Sequence, residues 1–549
     1  MSTIGFATRD RAGALLEEMG LRWTDHAFFP AQRAECIFDQ RVVRCFEERP
    51  QSLYSIFSAG LRLNPTGHAL VQQDRRTTYS ELEELISKFA AELEAIGVRK
   101  GDRVALLLEN CPEYIVTLLA AAKIGAITVP LNIRETSAEL AFILRDCGAK
   151  IIICSSTVLS QLPVRDEIKC VKSVRVIDLS LADPFEALPR TEKKEAATVT
   201  ADDVAVILYT SGTTGEPKGA KLSHVNIAHS ILHYVYGMEL SSDDRSIVAV
   251  PLSHVTGLVA LALPILMVGG TLIIMQEFRA ENFIRLAASE RMTHSVLVPA
   301  MFALCLLNSD IGNYDLRAWR VSGYGGAIMP ESTLQRIDKV LPQLKLINCY
   351  GATETASPAI MMPPVYASER AHQVGLPLPC ADIVIMDEDA REVPTGEAGE
   401  IWISGPMVVS GYWNNSDATT RAFAGSYWKS GDIGIIDADG FVQIIDRIKD
   451  VINRGGYKIF ASQVENEVLA HPSVKEVAVV AKDCPVLGER VHAFVVGEPT
   501  LNSDDLQAHC TDRLADFKRP EEYHFVASLP RNANGKVLKR KLRSMLETL

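Results

Sequence analysis

No CxxC pair and no metal-ligand spacing occurs among the eleven cysteines of the chain, so neither a disulfide framework nor a cysteine-held zinc is expected. Positive charge is also scarce: 56 lysines and arginines face 68 aspartates and glutamates, for a net charge of −12. That balance offers no general attraction to nucleic acid or anionic lipid, and anionic ligands must be met by local basic groups. The N-terminus lacks a basic segment leading into an apolar one, and the C-terminal Glu-Thr-Leu is no targeting address, so a cytoplasmic location is expected. Internal repeats and low-complexity linkers are absent too, so any domain boundary acts as a hinge rather than a tether.

One absence points the other way. From Ser246 to Gln276 there is no Asp, Glu, Lys or Arg, a stretch long enough to cross a bilayer. Pro251, Pro264 and the pair Gly269-Gly270 interrupt it. It parses as a strand over 246–250, a helix over about 257–267 and a strand over 271–275, the interior of a buried α/β domain rather than a transmembrane segment.

What is present is ordinary globular material, 47% hydrophobic and 23% charged over 549 residues, enough for several cores. From Arg103 the chain alternates strand and helix: RVALLLEN, a helix near 112–125, AITVPLN, a helix over 138–147, then IIICSS. The alternation resumes at 204–210 and continues through 295–300 to 344–350. It predicts an α/β fold in which a large N-terminal domain holds two facing, mainly parallel sheets with helices. After Gly375 short β-rich runs with turn residues predict a small β-barrel-like subdomain. Beyond Asp446 come a helix over 463–470, the strands VKEVAVVAK and HAFVV, and a basic tail over 530–543. These form a small α+β C-terminal domain, and the division is set at 1–447 and 448–549.

The segment richest in chemistry is Tyr209-Thr-Ser-Gly-Thr-Thr-Gly-Glu-Pro-Lys-Gly219. It follows an apolar strand and gathers glycines, hydroxyls and one lysine. Glycines let backbone N–H groups turn inward around an anion, hydroxyls add neutral donors, and Lys218 adds charge. The spacing is not Walker A, so a standard P-loop is disfavoured. Without a ligand in view, a polar surface loop is the bland alternative.

This segment resembles the phosphate loop of the adenylate-forming superfamily, which includes acyl-CoA synthetases, peptide-synthetase adenylation domains and luciferases. Four further motifs follow in that family's order: Tyr350-Gly-Ala-Thr-Glu-Thr355, Lys429-Ser-Gly-Asp432, Asp446-Arg447-Ile-Lys449-Asp450 and Pro530-Arg-Asn-Ala-Asn-Gly-Lys536. The resemblance covers about residues 50 to 545 and implies an AMP-forming acid–CoA ligase that uses ATP, Mg²⁺ and coenzyme A. It implies ATP contacts at Thr210, Ser211, Gly212, Thr213, Thr214, Gly215 and Lys218. Further ATP contacts are implied at Gly325, Gly326 and Ala327, at Asn348, Cys349, Tyr350, Gly351, Ala352 and Thr353, and at Asp432 and Arg447.

Physical chemistry gives these matches roles. Carboxylate and α-phosphate are both anions, so adenylation needs a cation between them, and the resemblance puts Lys536 there. Glu354 is a hard oxygen donor suited to Mg²⁺, with Thr213 as helper. Asp432 can accept from both ribose hydroxyls, and Arg447 offers a fork of donors to ribose or phosphate. In this family the C-terminal domain swings between half-reactions, and the hinge residue falls on Lys449, where many relatives carry Asp. The run Ile452-Asn-Arg-Gly-Gly-Tyr-Lys458 resembles the strand lining the pantetheine tunnel. Gly455, Gly456 and Tyr457 would then lie along CoA, although a plain turn explains two glycines as well.

The same resemblance places the acid beside His254, Val255 and Thr256 and beside Tyr324 and Gly325. Amino-acid-activating relatives carry an Asp in the first of these segments; Val255 and Thr256 offer none, which argues against an α-amino acid. His254 would steer the carboxylate or gate the acid's entry. The competing readings are an acyl-AMP ligase that loads a carrier protein, a luciferase-like oxygenase and an idle nucleotide-binding regulator. A homodimer is compatible with all of them, and residues 1 to about 50 have no assigned role.

Overall fold

The strand expected over 204–210 sits at Val204–Thr210, in the place that its run of β-branched and apolar residues dictates. The computed structural model describes Trp23 and residues 29–38, 40–181, 184–185, 195–210, 216–307, 311–327, 329–531 and 537–547. The calls at Ser211, Gly212, Thr213, Thr214, Gly215 and Lys536 lie outside the described residues.

Among the described residues, one six-stranded sheet runs in the order Lys218–Ser223, Val204–Thr210, Ile127–Pro130, Arg103–Leu107, Ile151–Ser155, Ser173–Ile177. Its pairings are parallel except for the first. A nine-stranded sheet has the parallel centre Lys345–Tyr350, Val321–Tyr324, His294–Leu297, Arg245–Val248, Thr271–Ile274, His68–Gln72 and antiparallel pairs at both ends. The two sheets share one apolar core, which takes Leu106 and Val206 from the first and Leu272 and Val296 from the second. Strands buried on both faces read as continuous hydrophobic runs, which is why IIICS and TLII carry no polar alternation.

Local chemistry sets where the helices begin. Thr78 with Glu81, Thr136 with Glu139 and Ser223 with Asn226 each form a reciprocal capping box. Deep in the core Lys123 Nζ meets Glu83 at 2.7 Å. Tyr54 donates to the other oxygen of Glu83 at 2.7 Å, so three helices are tied by a satisfied buried charge pair.

The charge-free stretch parses as strand, helix, strand, with one departure. Strands occupy Arg245–Val248 and Thr271–Ile274, but the expected single helix is a π-helix over Thr256–Ala262 followed by an α-helix over Leu263–Val268. Where every position is apolar, the period that separates π from α leaves no mark in the sequence. Among the described residues no helix is long and apolar enough to cross a membrane.

The short strands expected after Gly375 form a five-stranded sheet of Asp382–Met386, Gly399–Ser404, Phe423–Ala424, Tyr427–Ile436 and Val442–Arg447. The chain divides into two units within this stretch. The first is Met1–Ile383, Ile403–Lys429 and Asp439–Phe441; the second is Val384–Trp402, Ser430–Ala438 and Val442–Leu549. Two segments that precede the expected boundary at 447, and residues 442–447 themselves, thus group with the C-terminal residues. The second unit has its own apolar core, built on Val479, Val491, Ala493 and Val495 of two long antiparallel strands and on Val464 and Val468 of the helix Ala461–Leu469.

Candidate active site

In the first unit the strands on either side of the glycine-rich segment pair antiparallel, with Thr210 opposite Lys218. Thr210 Oγ1 donates to the Lys218 carbonyl at 3.4 Å. The segment 411–413 continues this pairing: Lys221 N–H donates to the Gly411 carbonyl at 3.1 Å and Trp413 N–H to the Gly219 carbonyl at 2.7 Å. Tyr412 is thereby set beside Lys218, whose ammonium lies 5.5 Å from the centre of its ring.

Glu354 sits in a short 3-10 turn, Thr353–Thr355, directly after the strand Lys345–Tyr350. The turn is closed by Ala352 N–H donating to Thr355 Oγ1 at 2.9 Å. Its exit is left-handed at Ala356 and Ser357, with φ of 46° and 40°, an uncommon conformation for residues other than glycine. The Glu354 side chain is buried and is held at both ends. Tyr412 OH donates to Oε1 at 2.8 Å, and Val409 N–H donates to the main-chain carbonyl at 2.9 Å. Burial, and then the charge of Glu354, push the Tyr412 phenol above its usual range, so it remains a donor. Tyr412 was not among the residues singled out from the sequence. The only signal was an aromatic pair behind a glycine, Gly411-Tyr412-Trp413, far along the chain from the Glu354 motif.

The segments expected to flank the acid come from two loops of the nine-stranded sheet. Asn110 braces the first: its amide donates to the Val250 and Met275 carbonyls at 3.0 and 3.1 Å and accepts from Leu252 N–H at 2.8 Å. Gly257 is required there, since a Cβ would lie 2.2 Å from the Pro251 carbonyl oxygen. Thr256 N–H donates to His254 Nδ1 at 3.2 Å, and Val255 beside it is buried. Burial pushes the His254 pKa down to about 4, so near neutral pH the ring is uncharged and its proton sits on Nε2.

In the second loop Tyr324 pairs with Asn348 on the neighbouring parallel strand. A Cβ on Gly325 would lie 2.3 Å from the Cys349 carbonyl oxygen. Gly326 is left-handed at φ 78°, and Ala327 is exposed. Asn348 Nδ2 donates to the Gln373 carbonyl at 3.5 Å. Cys349 is buried and its thiol is pushed up by burial, so it is inert. Gly351 has Thr355 Oγ1 3.0 Å from where a Cβ would be. Tyr350 and Gly351 follow as half-buried residues at the strand end, leading into the turn that carries Glu354.

In the second unit Asp432 and Arg447 face each other across two antiparallel strands. Arg447 Nε meets Asp432 Oδ1 at 3.0 Å, with the carboxylate buried and the guanidinium partly exposed. Asp446 is occupied structurally: its two oxygens accept from Arg447 N–H at 2.7 Å and Ser462 N–H at 3.1 Å. Lys449 has an exposed side chain, and its carbonyl accepts from Arg543 at 3.1 Å. Part of the basic tail is therefore tied down, because Arg543 also meets Asp450 at 2.9 Å and Lys539 meets Glu465 at 2.8 Å.

Gly455 and Gly456 form the two-residue turn of a hairpin, Ile452–Arg454 with Tyr457–Ile459, at φ of 58° and 88°. A Cβ on Gly456 would meet no atom of the chain within 4 Å, so within the protein the left-handed turn is what calls for glycine here. Tyr457 stacks on Phe517 with ring centres 4.5 Å apart.

One group of metal-ligand type in this unit, His492, Glu522 and His524, lies outside the motifs. Its two rings, 11° from parallel, bring nitrogens to 3.0 Å, so one imidazole donates to the other.

The two wound sheets, with a lysine-bearing hairpin and a buried carboxylate after a strand end, define the class as α/β. A family model described as AMP-binding enzyme matches residues 58–413, and the AMP-binding enzyme C-terminal domain matches 463–536. A feruloyl-CoA synthase of Amycolatopsis sp is 34% identical over 485 residues, 88% of this chain and 96% of that protein. A fatty acid–[acyl-carrier-protein] ligase of Streptomyces coeruleorubidus is 32% identical over 508 residues, 90% of this chain and 96% of that protein. Among solved structures, o-succinylbenzoate CoA synthetase of Bacillus subtilis with its acyl-adenylate aligns at a TM-score of 0.81 and 29% identity, over 90% of this chain and 98% of that one. The same synthetase has been solved with ATP and magnesium ion. The chain belongs to the AMP-binding enzymes, and within them it is an ATP-dependent, AMP-forming acid–CoA ligase.

Proposed function

We propose that this ligase activates an aryl or other non-amino carboxylic acid, with ATP phosphates along Lys218 and the 210–215 loop and Mg²⁺ on Glu354, and that free CoA is the acceptor. The observation that carries the nucleotide half is the group Lys218, Tyr412 and Glu354. Tyr412 donates its hydroxyl to the buried Glu354 carboxylate, and the Lys218 ammonium lies over the ring of the same tyrosine. A carboxylate is the hard donor that Mg²⁺ favours. When bound, the ion neutralises charge on the phosphates.

In the first half-reaction a carboxylate oxygen of the acid attacks the α-phosphorus, and the bond to pyrophosphate breaks with its electron pair. In the second, the thiol sulfur attacks the acyl carbonyl carbon and gives up its proton, and AMP leaves with the C–O electrons. Lys536 neutralises the two anions that meet in the first step. Asp432 and Arg447 hold the ribose, and rotation about Lys449 exchanges the two half-reactions. Neutral His254 offers an Nε2–H to the acid's carboxylate, orienting it by a hydrogen bond rather than by charge. The absence of an acidic partner at Val255 and Thr256 supports a non-amino acid, and the aromatic acids named for two relatives favour an aryl one over a fatty one.

The carrier-protein acceptor stands as a second reading because of the Streptomyces relative. The test is a panel of ferulate, 2-succinylbenzoate and long-chain fatty acids, scored for pyrophosphate and thioester with CoA or with a pantetheinylated carrier protein. Wild type is compared with Lys536→Ala. The variant should lose adenylation about 10²–10³-fold yet still convert synthetic acyl-AMP plus CoA. Pyrophosphate release without any CoA thioester would hand the acceptor role to the carrier protein.

A further inference from the structure

The N-terminal hairpin, Gln32–Ile37 paired with Arg41–Phe46, precedes the stretch matched by the family model. Its Arg41 is half-buried and makes no ion pair among the described residues. A guanidinium removed from water without an acid partner is costly, so its other contacts must explain it. Apart from Phe38 of its own hairpin, whose ring centre lies 5.7 Å from the guanidinium, they are of two kinds, and both lead to Glu354.

The first is main chain. Arg41 Nη1 donates to the Val409 carbonyl at 2.9 Å and, more weakly, to the Val408 carbonyl at 3.4 Å. The Val408 carbonyl also accepts from Asn226 Nδ2 at 3.1 Å. That carbonyl belongs to the same peptide group as the Val409 N–H, which donates to the Glu354 carbonyl at 2.9 Å. Donors on its C=O polarise a peptide and strengthen what its N–H gives. The second kind is aromatic. The Arg41 guanidinium lies 5.2 Å from the centre of the Phe423 ring. Phe423 meets Tyr412 edge to face at 6.4 Å, and Tyr412 donates to the Glu354 carboxylate.

We infer that Arg41 is a positioning residue for the nucleotide site: it fixes, through the 408–409 peptide and through Phe423 and Tyr412, the two hydrogen bonds that orient Glu354. The inference rests on Glu354 being the residue that meets Mg²⁺ and ATP. A buried scaffold of this kind sets the direction in which a carboxylate presents its oxygens, and outer partners of metal-binding groups typically change affinity or activity by about 10–100-fold when lost.

The experiment is calorimetric titration of the full-length protein with ATP at stepped Mg²⁺ concentrations and without acid, in wild type, Arg41→Ala, Arg41→Lys, Phe423→Leu and Glu354→Gln, each with its melting temperature recorded. Arg41→Ala should raise the Mg²⁺ concentration needed for half-maximal ATP affinity about tenfold or more. Arg41→Lys, which keeps a charge but not the fork, should fall between it and wild type, and Phe423→Leu should shift the same way. A purely structural arginine would lower the melting temperature and leave the Mg²⁺ dependence alone; that result, with Glu354→Gln impaired, overturns the inference. If Glu354→Gln itself keeps the wild-type Mg²⁺ dependence, the assignment of Glu354 is what fails. Should Arg41→Ala not fold, Arg41→Lys and Phe423→Leu decide by the same criterion.

Discussion

Two buried carboxylates, Glu354 in the first unit and Asp432 in the second, are held in opposite ways. Glu354 takes a hydrogen bond from a neutral phenol, whereas Asp432 takes one from a guanidinium 3.0 Å away. A phenol orients a carboxylate by one donated hydrogen bond, whereas a guanidinium also brings an opposite charge, so a carboxylate paired with arginine is better matched to neutral hydroxyls such as those of a ribose than to a further cation. The motif resemblance already assigns the two residues different ligands; the groups that give each its setting are Tyr412 and Arg447.

The strongest way to break this comparison is to remove charge from each in turn. Glu354→Gln should lower pyrophosphate exchange by about 100-fold or more, with a changed Mg²⁺ requirement. Asp432→Asn should raise the KM for ATP by about tenfold at unchanged Mg²⁺ dependence, roughly what two weakened hydrogen bonds supply. Equal losses with equal Mg²⁺ profiles would show that the two acids do not differ in kind.

A smaller effect tests the neutral hold itself. Tyr412→Phe removes the hydroxyl and leaves a buried charged oxygen without that donor, at a cost of about 1.5–3 kcal/mol. Urea denaturation should show the loss in stability, and ATP affinity should fall with it. Unchanged urea midpoint and affinity would mean that the phenol does not support Glu354.

Such comparisons belong above pH 6.5, because the helix His224–Gly237 carries three buried neutral histidines. Burial pushes His224, His229 and His233 down to about 4, 3 and 4. Two of them anchor the N-terminal segment: Phe46 N–H donates to His229 Nε2 at 3.1 Å and Leu53 N–H to His224 Nδ1 at 3.0 Å. Between about 6.5 and 4 the unfolded chain binds protons that the folded one refuses, so stability is complete above 6.5 and declines as pH falls toward 4. Urea midpoints at pH 7, 5.5 and 4.5 should fall in that order. A flat profile would mean that these rings do not stay neutral in the fold.

Much of the fold was legible because the two sheets obey simple patterns. Short, uninterrupted apolar runs such as Ile151–Ser155 fit buried strands by their length and β-branched content. The site was legible where motif and local geometry coincide: Thr210, Lys218 and Glu354 are adjacent to strand ends, and Asp432 and Arg447 are register partners. Tyr412 was not, because its link to Glu354 spans 58 residues and depends on an edge pairing that no local pattern announces. Arg41 was not, because its acceptors are carbonyls, which every residue carries. Gly455 and Gly456 were visible, but turn and close approach call for the same residue.

The eleven cysteines, all reduced, make the native chain chemically addressable at one point. Cys36 is the exposed one, Cys170 is half-buried, and the rest are buried. Cys36 stands on the N-terminal hairpin opposite Val42, next to Arg41. A thiol-reactive fluorophore can therefore be placed without mutation beside the hairpin that braces Glu354, and the unaltered enzyme carries its own reporter for that brace.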